Sequence, residues 1–301
     1  MTASVGYIGL GAMGAPMTRR LVEAKAGPVY GFDADPGTTT AVAAKTGAIA
    51  CTTLADVAAK VDVLFTCLPN NDVVRQVYLG PHGVATAVRP GTITIDCSTV
   101  GPDATLDVYS GLKAKGVSHL DASMLGSVNQ ANEGTISFVV GGDEDAFERA
   151  KPVLARTGQL IRYCGPSGSG NRMKLVHQTL VAGHAVAVAE ALALCLETGV
   201  DIEMFYDIVT KGTGMAHSRY FENRVPRMRS GDFSPQFMLK FMAKDARLAR
   251  DMAPELASKL PVLSAAIKTL EEGEAAGFGE EDFSAAMKVL DGRIGKSIKK
   301  S

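Results

Sequence analysis

The chain has 301 residues, of which 46% are hydrophobic and 21% charged, so a globular protein of two domains is expected. Its formal net charge of −1 argues against a nucleic acid or an anionic membrane bound through bulk charge. No basic segment followed by an apolar one opens the chain, and five scattered cysteines show no zinc-ligand spacing. We therefore expect a cytoplasmic protein with reduced thiols and no metal site.

A glycine-rich loop follows the first predicted strand, residues 4–9, and precedes a segment of helical composition, residues 15–25. In a dinucleotide-binding fold, the first glycine of G-x-G-x-x-G permits a tight turn and the second lets the main chain approach a pyrophosphate. The third lets the helix pack against the strand, and the phosphate lies on the helix N-terminus. The loop residues predicted to bind cofactor are Gly9, Leu10, Gly11, Ala12, Met13 and Gly14.

An acidic residue ends the second predicted strand, residues 29–33. Asp33 lies 24 positions after Gly9, where a carboxylate can accept hydrogen bonds from the ribose hydroxyls. Its charge would repel a 2′-phosphate, and the following Ala34 and Asp35 offer no arginine to bind one. This pattern favours NAD over NADP. The alternative is that Asp33 only forms a turn at the end of the strand, before Pro36.

Strands and helices continue to alternate up to about residue 163, which predicts a doubly wound, mainly parallel sheet of the Rossmann type. Ligands in such sheets lie beyond the carboxyl ends of the strands. Several segments fall at these ends and are expected to surround one crevice. They are Leu68–Pro69, Ser98–Thr99 and residues 121–127.

From residue 171 onward the pattern predicts helices only. After a glycine loop that ends at Gly170, residues 171–196 contain one glycine and no proline, which predicts a single long helix, apolar on most of its circumference and therefore largely buried. His184 and Glu190 within it favour a core helix over a membrane span. We expect a Rossmann domain over residues 1–166 and an all-helical domain for substrate and oligomerisation over residues 167–301, joined by this helix.

Lys174 is the strongest candidate for proton transfer. It follows a glycine loop at the start of the long helix, where partial desolvation would favour its neutral form. A lysine that extends to solvent from a helix start is the open alternative. The five histidines lack a neighbouring carboxylate in a recognisable dyad, so we interpret them as structural.

Four motifs occur in order along the chain and together resemble the β-hydroxyacid dehydrogenase family, which includes 3-hydroxyisobutyrate dehydrogenase, tartronate semialdehyde reductase and 2-(hydroxymethyl)glutarate dehydrogenase. The resemblance covers nearly all 301 residues. It implies a Rossmann domain followed by helices. The motifs are G-L-G-A-M-G-A-P-M at 9–17, D-A-S-M-L-G at 121–126, G-S-G-N-R-M-K at 168–174 and K-D-A-R-L-A at 244–249.

The resemblance also implies roles for individual residues. Lys174 matches the family's catalytic acid/base, and Lys244 matches a position associated with cofactor binding. Asp245 and Phe237 match positions that line the substrate site, and Thr99, beside Ser98, matches a hydroxyl near nicotinamide and substrate. The cofactor set therefore also includes Leu68, Pro69, Thr99 and Lys244, and Ser98 joins the substrate set.

This chain departs from the family pattern in the substrate motif. The family usually reads D-A-P-V-S-G-G here, and Leu125 replaces the serine that would bind a substrate carboxylate. Gly126 can still donate its main-chain N–H to that carboxylate. Ser123 and Ser127 are candidates to supply a replacement hydroxyl. Gln178 stands where the family prefers asparagine. We infer a changed, more apolar pocket, since a lost hydroxyl donor costs about 1–3 kcal/mol.

The leading hypothesis is an NAD-dependent dehydrogenase that interconverts a β-hydroxy acid and its semialdehyde or oxo acid. Two alternatives stay open: an imine reductase-like activity, which Lys174 disfavours, and an NAD-binding module without turnover. We expect a small-molecule substrate and a homodimer or homotetramer, and no nucleic acid or membrane partner.

Overall fold

The structure, a computed structural model, describes residues 3–298. The chain divides into two compact units on either side of the bond between Lys174 and Leu175. The division falls inside a helix, eight residues beyond the predicted boundary at residue 166. The predicted domain boundary itself stays a prediction. Each unit is described by itself below.

The first unit contains an eight-stranded sheet with the order β3-β2-β1-β4-β5-β6-β7-β8. All neighbouring strands are parallel except β6 and β7. The sheet confirms the predicted doubly wound, mainly parallel fold. Its strands are β1 Val5–Ile8, β2 Val29–Phe32, β3 Ile49–Ala50, β4 Val63–Thr66, β5 Ile93–Asp96, β6 Ser118–Leu125, β7 Ile136–Gly141 and β8 Gly158–Gly165.

The helices of this unit cover both faces of the sheet, so every residue of β1, β4 and β5 is buried. Side chains alternate between two cores: Tyr7 lies in one and Ile8 in the other. The helices are α1 Gly14–Glu23, α2 Pro36–Thr46, α3 Leu54–Lys60, α4 Asn71–Leu79, α5 Pro102–Lys113, α6 Val128–Glu133 and α7 Glu144–Leu154. A 3₁₀ turn spans Val84–Thr86.

The described part of the second unit contains helices joined by loops and no strand, as predicted, with one isolated β-bridge between Met238 and Asp282. The long helix α8, Ser169–Thr198, runs into it from the first unit. The other helices are α9 Ile202–Lys211, α10 Arg219–Ser230, α11 Leu239–Asp251, α12 Pro261–Ala275 and α13 Ala286–Ile294, with 3₁₀ turns at Pro254–Lys259 and Phe283–Ala285.

The prediction that α8 is largely buried is wrong. Leu180 and Leu194 are 63% and 64% exposed, and 39% of the most apolar 18-residue window is buried. The error arose because an apolar composition does not say which partner covers a surface. Length and composition alone would allow α8 to cross a bilayer, but core helices of soluble proteins meet the same criterion.

Candidate active site

The glycine loop between β1 and α1 has the geometry of a dinucleotide-binding turn. Gly9 has φ +88, and an added Cβ would lie 2.2 Å from the Cys67 carbonyl oxygen. A Cβ on Gly14 would lie 1.8 Å from the Gly9 oxygen, so α1 approaches the strand at this point. Gly11 is different, because no protein atom lies within 4 Å of its added Cβ. Its open side fits a pyrophosphate approaching the main chain.

Asp33 is attached to this loop. Its Oδ2 accepts the Leu10 N–H at 2.8 Å, and its Oδ1 accepts the Asp35 N–H at 3.0 Å. The Leu10 side chain is buried in the core, whereas Ala12 is exposed and Met13 half-buried. The structure therefore brings a carboxylate, a glycine turn and the start of α1 together, as a ribose and pyrophosphate require.

A buried carboxylate organises the ends of β4 and β5. Asp96 Oδ1 accepts the Ser98 hydroxyl at 2.5 Å and the Thr66 hydroxyl at 2.8 Å. Ser98 Oγ in turn accepts the Leu68 N–H at 2.8 Å. The Ser98 hydroxyl thus holds the main chain at Leu68 in place. A direct contact between Ser98 and substrate stays a prediction. Pro69 is exposed and Thr99 half-buried beside these residues.

The segment with the altered motif contains three constrained positions. Leu125 ends β6, and Gly126 adopts φ +143 with its added Cβ only 2.8 Å from Ile136 Cδ1, so a side chain there would be strained. Ser127 caps α6 and donates to Gln130 Oε1 at 2.6 Å. Ser123 is buried and donates to Asn171 Oδ1 at 2.9 Å. Both candidate replacement hydroxyls are thus engaged within the protein.

Asp121, opposite Asp96 on the neighbouring strand, is fully buried. Its carboxylate accepts the main-chain N–H groups of Gly168 and Asn171, both at 2.8 Å. Burial raises the pKa of this carboxyl to about 6, against the lowering effect of the two N–H groups. Lys174, one turn further along α8, is 8% exposed. The predicted catalytic lysine thus belongs to a buried, anchored helix start.

In the second unit the structure brings Gln178 and Asp245 together. Gln178 Nε2 donates to Asp245 Oδ2 at 2.7 Å, and Lys244 Nζ lies 3.1 Å from Asp245 Oδ1. Both Gln178 and Asp245 are buried, at 3% and 1% exposure. A carboxylate paired with an amide and an ammonium group forms a polar cluster in an otherwise apolar helical core.

Phe237 lies on a loop held by a second buried acid of this unit. Asp282 Oδ2 accepts the N–H groups of Gln236 and Phe237 at 3.1 and 3.2 Å, and its Oδ1 accepts from Arg224 at 3.0 Å. Asp282, Asp96 and Asn171 could not be predicted as site residues from sequence. Their only signal was a polar residue at a strand end or beside a helix start, and such residues are common there.

His119 supports the structural interpretation of the histidines. It is buried, and burial lowers its pKa to about 3. Its Nδ1 lies 2.8 Å from Thr94 Oγ1, within a core that also contains the edge of Tyr78. A histidine whose pKa is lowered this far does not hold a proton near pH 7, which fits a structural role.

Comparison with known proteins assigns the chain to a family. Residues 4–165 match the NAD-binding domain of 6-phosphogluconate dehydrogenase, and residues 168–290 match the NAD-binding domain of NADP-dependent 3-hydroxyisobutyrate dehydrogenase. The chain is 36% identical to 2-(hydroxymethyl)glutarate dehydrogenase of Eubacterium barkeri, over 98% of this chain and 97% of that protein. It is 33% identical to L-threonate dehydrogenase of Cupriavidus necator, over 97% of each chain.

Solved structures agree with this assignment. The crystal structure of 3-hydroxyisobutyrate dehydrogenase from Salmonella typhimurium matches with a TM-score of 0.85 and 32% identity, over 95% of this chain and 99% of that chain. An imine reductase from Pseudomonas sp., at 17% identity and a TM-score of 0.61, shares the fold alone. With its glycine turn and two-unit fold, the chain belongs to the β-hydroxyacid dehydrogenase family and is an NAD-dependent dehydrogenase.

Proposed function

We propose that this enzyme oxidises the hydroxyl-bearing carbon of a β-hydroxy acid, and reduces the matching semialdehyde or oxo acid in reverse, with Lys174 as the general acid/base. One observation carries this proposal: a lysine that is 8% exposed lies in the first turns of a helix anchored on β6. Long cations are rarely buried to this extent without a specific role.

The residues of this chain divide the chemistry among them. When bound, the nicotinamide supplies a hydride acceptor or donor. Lys174 Nζ takes the proton of the substrate hydroxyl during oxidation and returns it to the carbonyl oxygen during reduction. Gly11 and the start of α1 would bind the pyrophosphate, and Asp33 the ribose. Thr99, Pro69 and Lys244 complete the proposed cofactor set.

The altered motif supports a substrate that differs from those of the named relatives. Leu125 presents no hydroxyl, and the Ser123 and Ser127 hydroxyls are bonded to Asn171 and Gln130. We therefore propose that Gly126 N–H and Gln178 bind the carboxylate end, and that Leu125 contacts an apolar part of a bulkier β-hydroxy acid. The Gln178 amide is oriented for this by its bond to Asp245, while Phe237 contributes an apolar wall.

The test of the proposed function is NADH formation from a panel of β-hydroxy acids that differ in the bulk and polarity of the substituent on the α-carbon. We expect turnover of at least one member, with larger kcat/KM for apolar substituents than for a second hydroxyl. A panel in which no member reacts, although NAD binds, would instead favour the NAD-binding module. Reduction of cyclic imines without any hydroxy acid turnover would favour the imine reductase alternative.

Asp33 is proposed to select NAD over NADP. In Asp33→Asn the amide oxygen can still accept the Leu10 N–H, so the loop keeps this hydrogen bond. The weaker bond from the Asp35 N–H and the charge that repels a 2′-phosphate are both removed. We expect the ratio of kcat/KM for NAD to that for NADP to fall about tenfold or more, as expected for a lost interaction of about 1.4 kcal/mol. The measurement is steady-state kinetics with both cofactors.

Asp35→Asn is the matched control for Asp33, because Asp35 caps α2 through Gly37 and Thr38 rather than binding the loop. Its cofactor ratio should not change. An unchanged ratio in Asp33→Asn, or wild-type protein that uses both cofactors equally, would contradict the role given to Asp33.

We also propose a homodimer or homotetramer in the cytoplasm. The support is a set of exposed apolar side chains on two consecutive helices of the second unit, of a kind that marks protein contacts when contiguous. They are Leu180, Leu194, Met204 and Ile208. The small net charge and the family's metabolic relatives are consistent with a cytoplasmic enzyme.

A further inference from the structure

The first turn of α8 is held by a side chain from a neighbouring strand. Asp121 Oδ1 accepts the Gly168 N–H and Oδ2 accepts the Asn171 N–H, each at 2.8 Å. Amide groups at a helix start have no acceptor inside the helix, so an outside acceptor is required when the start is buried. One carboxylate thus determines both the position and the direction of this turn.

Asn171 links the same turn to three other segments. Its Oδ1 accepts the Ser123 hydroxyl at 2.9 Å and the Val100 N–H at 3.4 Å, and its Nδ2 donates to Thr105 Oγ1 at 2.8 Å. Residues three apart in a helix lie on the same face. The anchored position of Asn171 therefore determines where the Lys174 side chain leaves the helix.

Two glycines allow the helix to lie directly on the sheet. A Cβ on Gly170 would lie 2.5 Å from the Asp121 carbonyl oxygen and 2.6 Å from that of Val139. A Cβ on Gly141 would lie 2.8 Å from the amide nitrogens of both Ser169 and Gly170. The contact between α8 and the strands is thus set by backbone, which leaves the helix start little freedom to shift.

We propose that Asp121 is a positioning residue that acts through Lys174, an inference that rests on the proposed acid/base role of Lys174. An ionised carboxylate accepts both N–H groups, whereas asparagine accepts one and turns its own NH₂ group toward the other. The negative charge also suits a helix N-terminus. Without it, the first turn of α8 shifts, and the amine no longer meets the substrate hydroxyl in a productive geometry.

The experiment compares Asp121→Asn with wild type in the full-length protein. We expect kcat to fall roughly 10- to 100-fold, because a displacement of about 1 Å in a reacting group costs on that order. KM and the Kd of NADH should change little. Thr105→Val, which removes one partner of Asn171 and is the milder change, should lower kcat by the same route and to a smaller extent.

Rescue by small amines separates positioning from general damage. In Lys174→Ala, added methylamine or ethylamine can replace the missing base without being attached to α8. If Asp121 acts through Lys174, Asp121→Asn should leave the amine-rescued rate of Lys174→Ala unchanged. Leu154→Ala, which removes buried volume at the end of α7, is the stability control: its Tm should fall while kcat is preserved.

Two results would overturn the proposal. One is a normal kcat in Asp121→Asn; the other is an amine-rescued rate that Asp121→Asn lowers as much as it lowers the rate of the enzyme with Lys174. If Asp121→Asn does not fold, Thr105→Val alone decides, in both the Lys174 and the amine-rescued backgrounds. Failure of the proposed function gives a different result, since Lys174→Ala without amine would then turn over like wild type.

Discussion

Lys174→Met is expected to lower kcat for oxidation of the best β-hydroxy acid by about 10² to 10⁴, the range in which a positioned general acid/base contributes. Methionine keeps an unbranched side chain of similar length, so the buried site is filled while the transferable proton is removed. The Kd of NADH should stay close to the wild-type value. Stopped-flow measurement of the hydride-transfer step, with NADH binding followed by fluorescence, gives both quantities.

Lys113→Met at the end of α5 is the matched control, because Lys113 is exposed on the first unit and bonds to Tyr109. Its kcat should not change. A Lys174→Met protein with wild-type turnover would exclude the acid/base role, and Asp245 would then become the residue to test. Loss of NADH binding together with turnover would instead assign Lys174 to cofactor binding.

Substitution of two glycines in the same loop is expected to produce opposite results. In Gly14→Ala the new Cβ meets the Gly9 oxygen at 1.8 Å, so the loop and α1 must separate, and the protein should lose about 1–3 kcal/mol of unfolding free energy. In Gly11→Ala nothing in the protein is within 4 Å of the new Cβ, and Tm should not change. Its Kd for NADH should rise about 10- to 100-fold, since hydrogen bonds to a charged phosphate are each worth about 1.5–3 kcal/mol.

Two quantities are measured for each variant: the Tm of the protein without cofactor and the Kd of NADH. We expect only the Tm to fall in Gly14→Ala and only the Kd to rise in Gly11→Ala. Gly214→Ala, at an exposed position without a positive φ and with no protein atom within 4 Å of the added Cβ, controls for the general effect of alanine at a glycine position. If Gly11→Ala binds NADH normally, the pyrophosphate does not approach this side of the loop. Equal Tm for Gly14→Ala and wild type would show that the close contact with Gly9 is not needed.

Most of the first unit could be predicted from sequence because its signals are local. The apolar run from Val61 to Leu68 indicates a strand buried on both faces, and the structure confirms one at Val63–Thr66. The two-residue strand β3 was not predicted, since its short pairing with β2 depends on its neighbour and its residues are exposed. The site residues proposed from motifs remain predictions that the kinetic experiments above would test.

The hydrogen bonds of two serines could not be predicted from sequence. Ser123 and Ser127 were equal candidates for a missing pocket hydroxyl, because a motif specifies residue type and spacing but not what a hydroxyl already binds. The structure pairs one with Asn171 and the other with Gln130. Asp96 gave no local sign of its importance, since its partner Thr66 lies 30 residues away in the chain. The motif at 121–126 includes Asp121 but does not indicate that its carboxylate accepts an N–H from Asn171, 50 residues further on.

The amino-acid sequence alone determined the class of protein, because strand–helix alternation, the glycine spacing and the four ordered motifs are properties of short segments. Tertiary structure decided which carboxylate holds the start of α8, which hydroxyls are already engaged, and which face of α8 stays exposed. These depend on contacts between residues far apart in the chain. A periodic pattern identifies an apolar surface or a polar residue. Only the folded chain determines which residues pack against that surface or bond to that polar group.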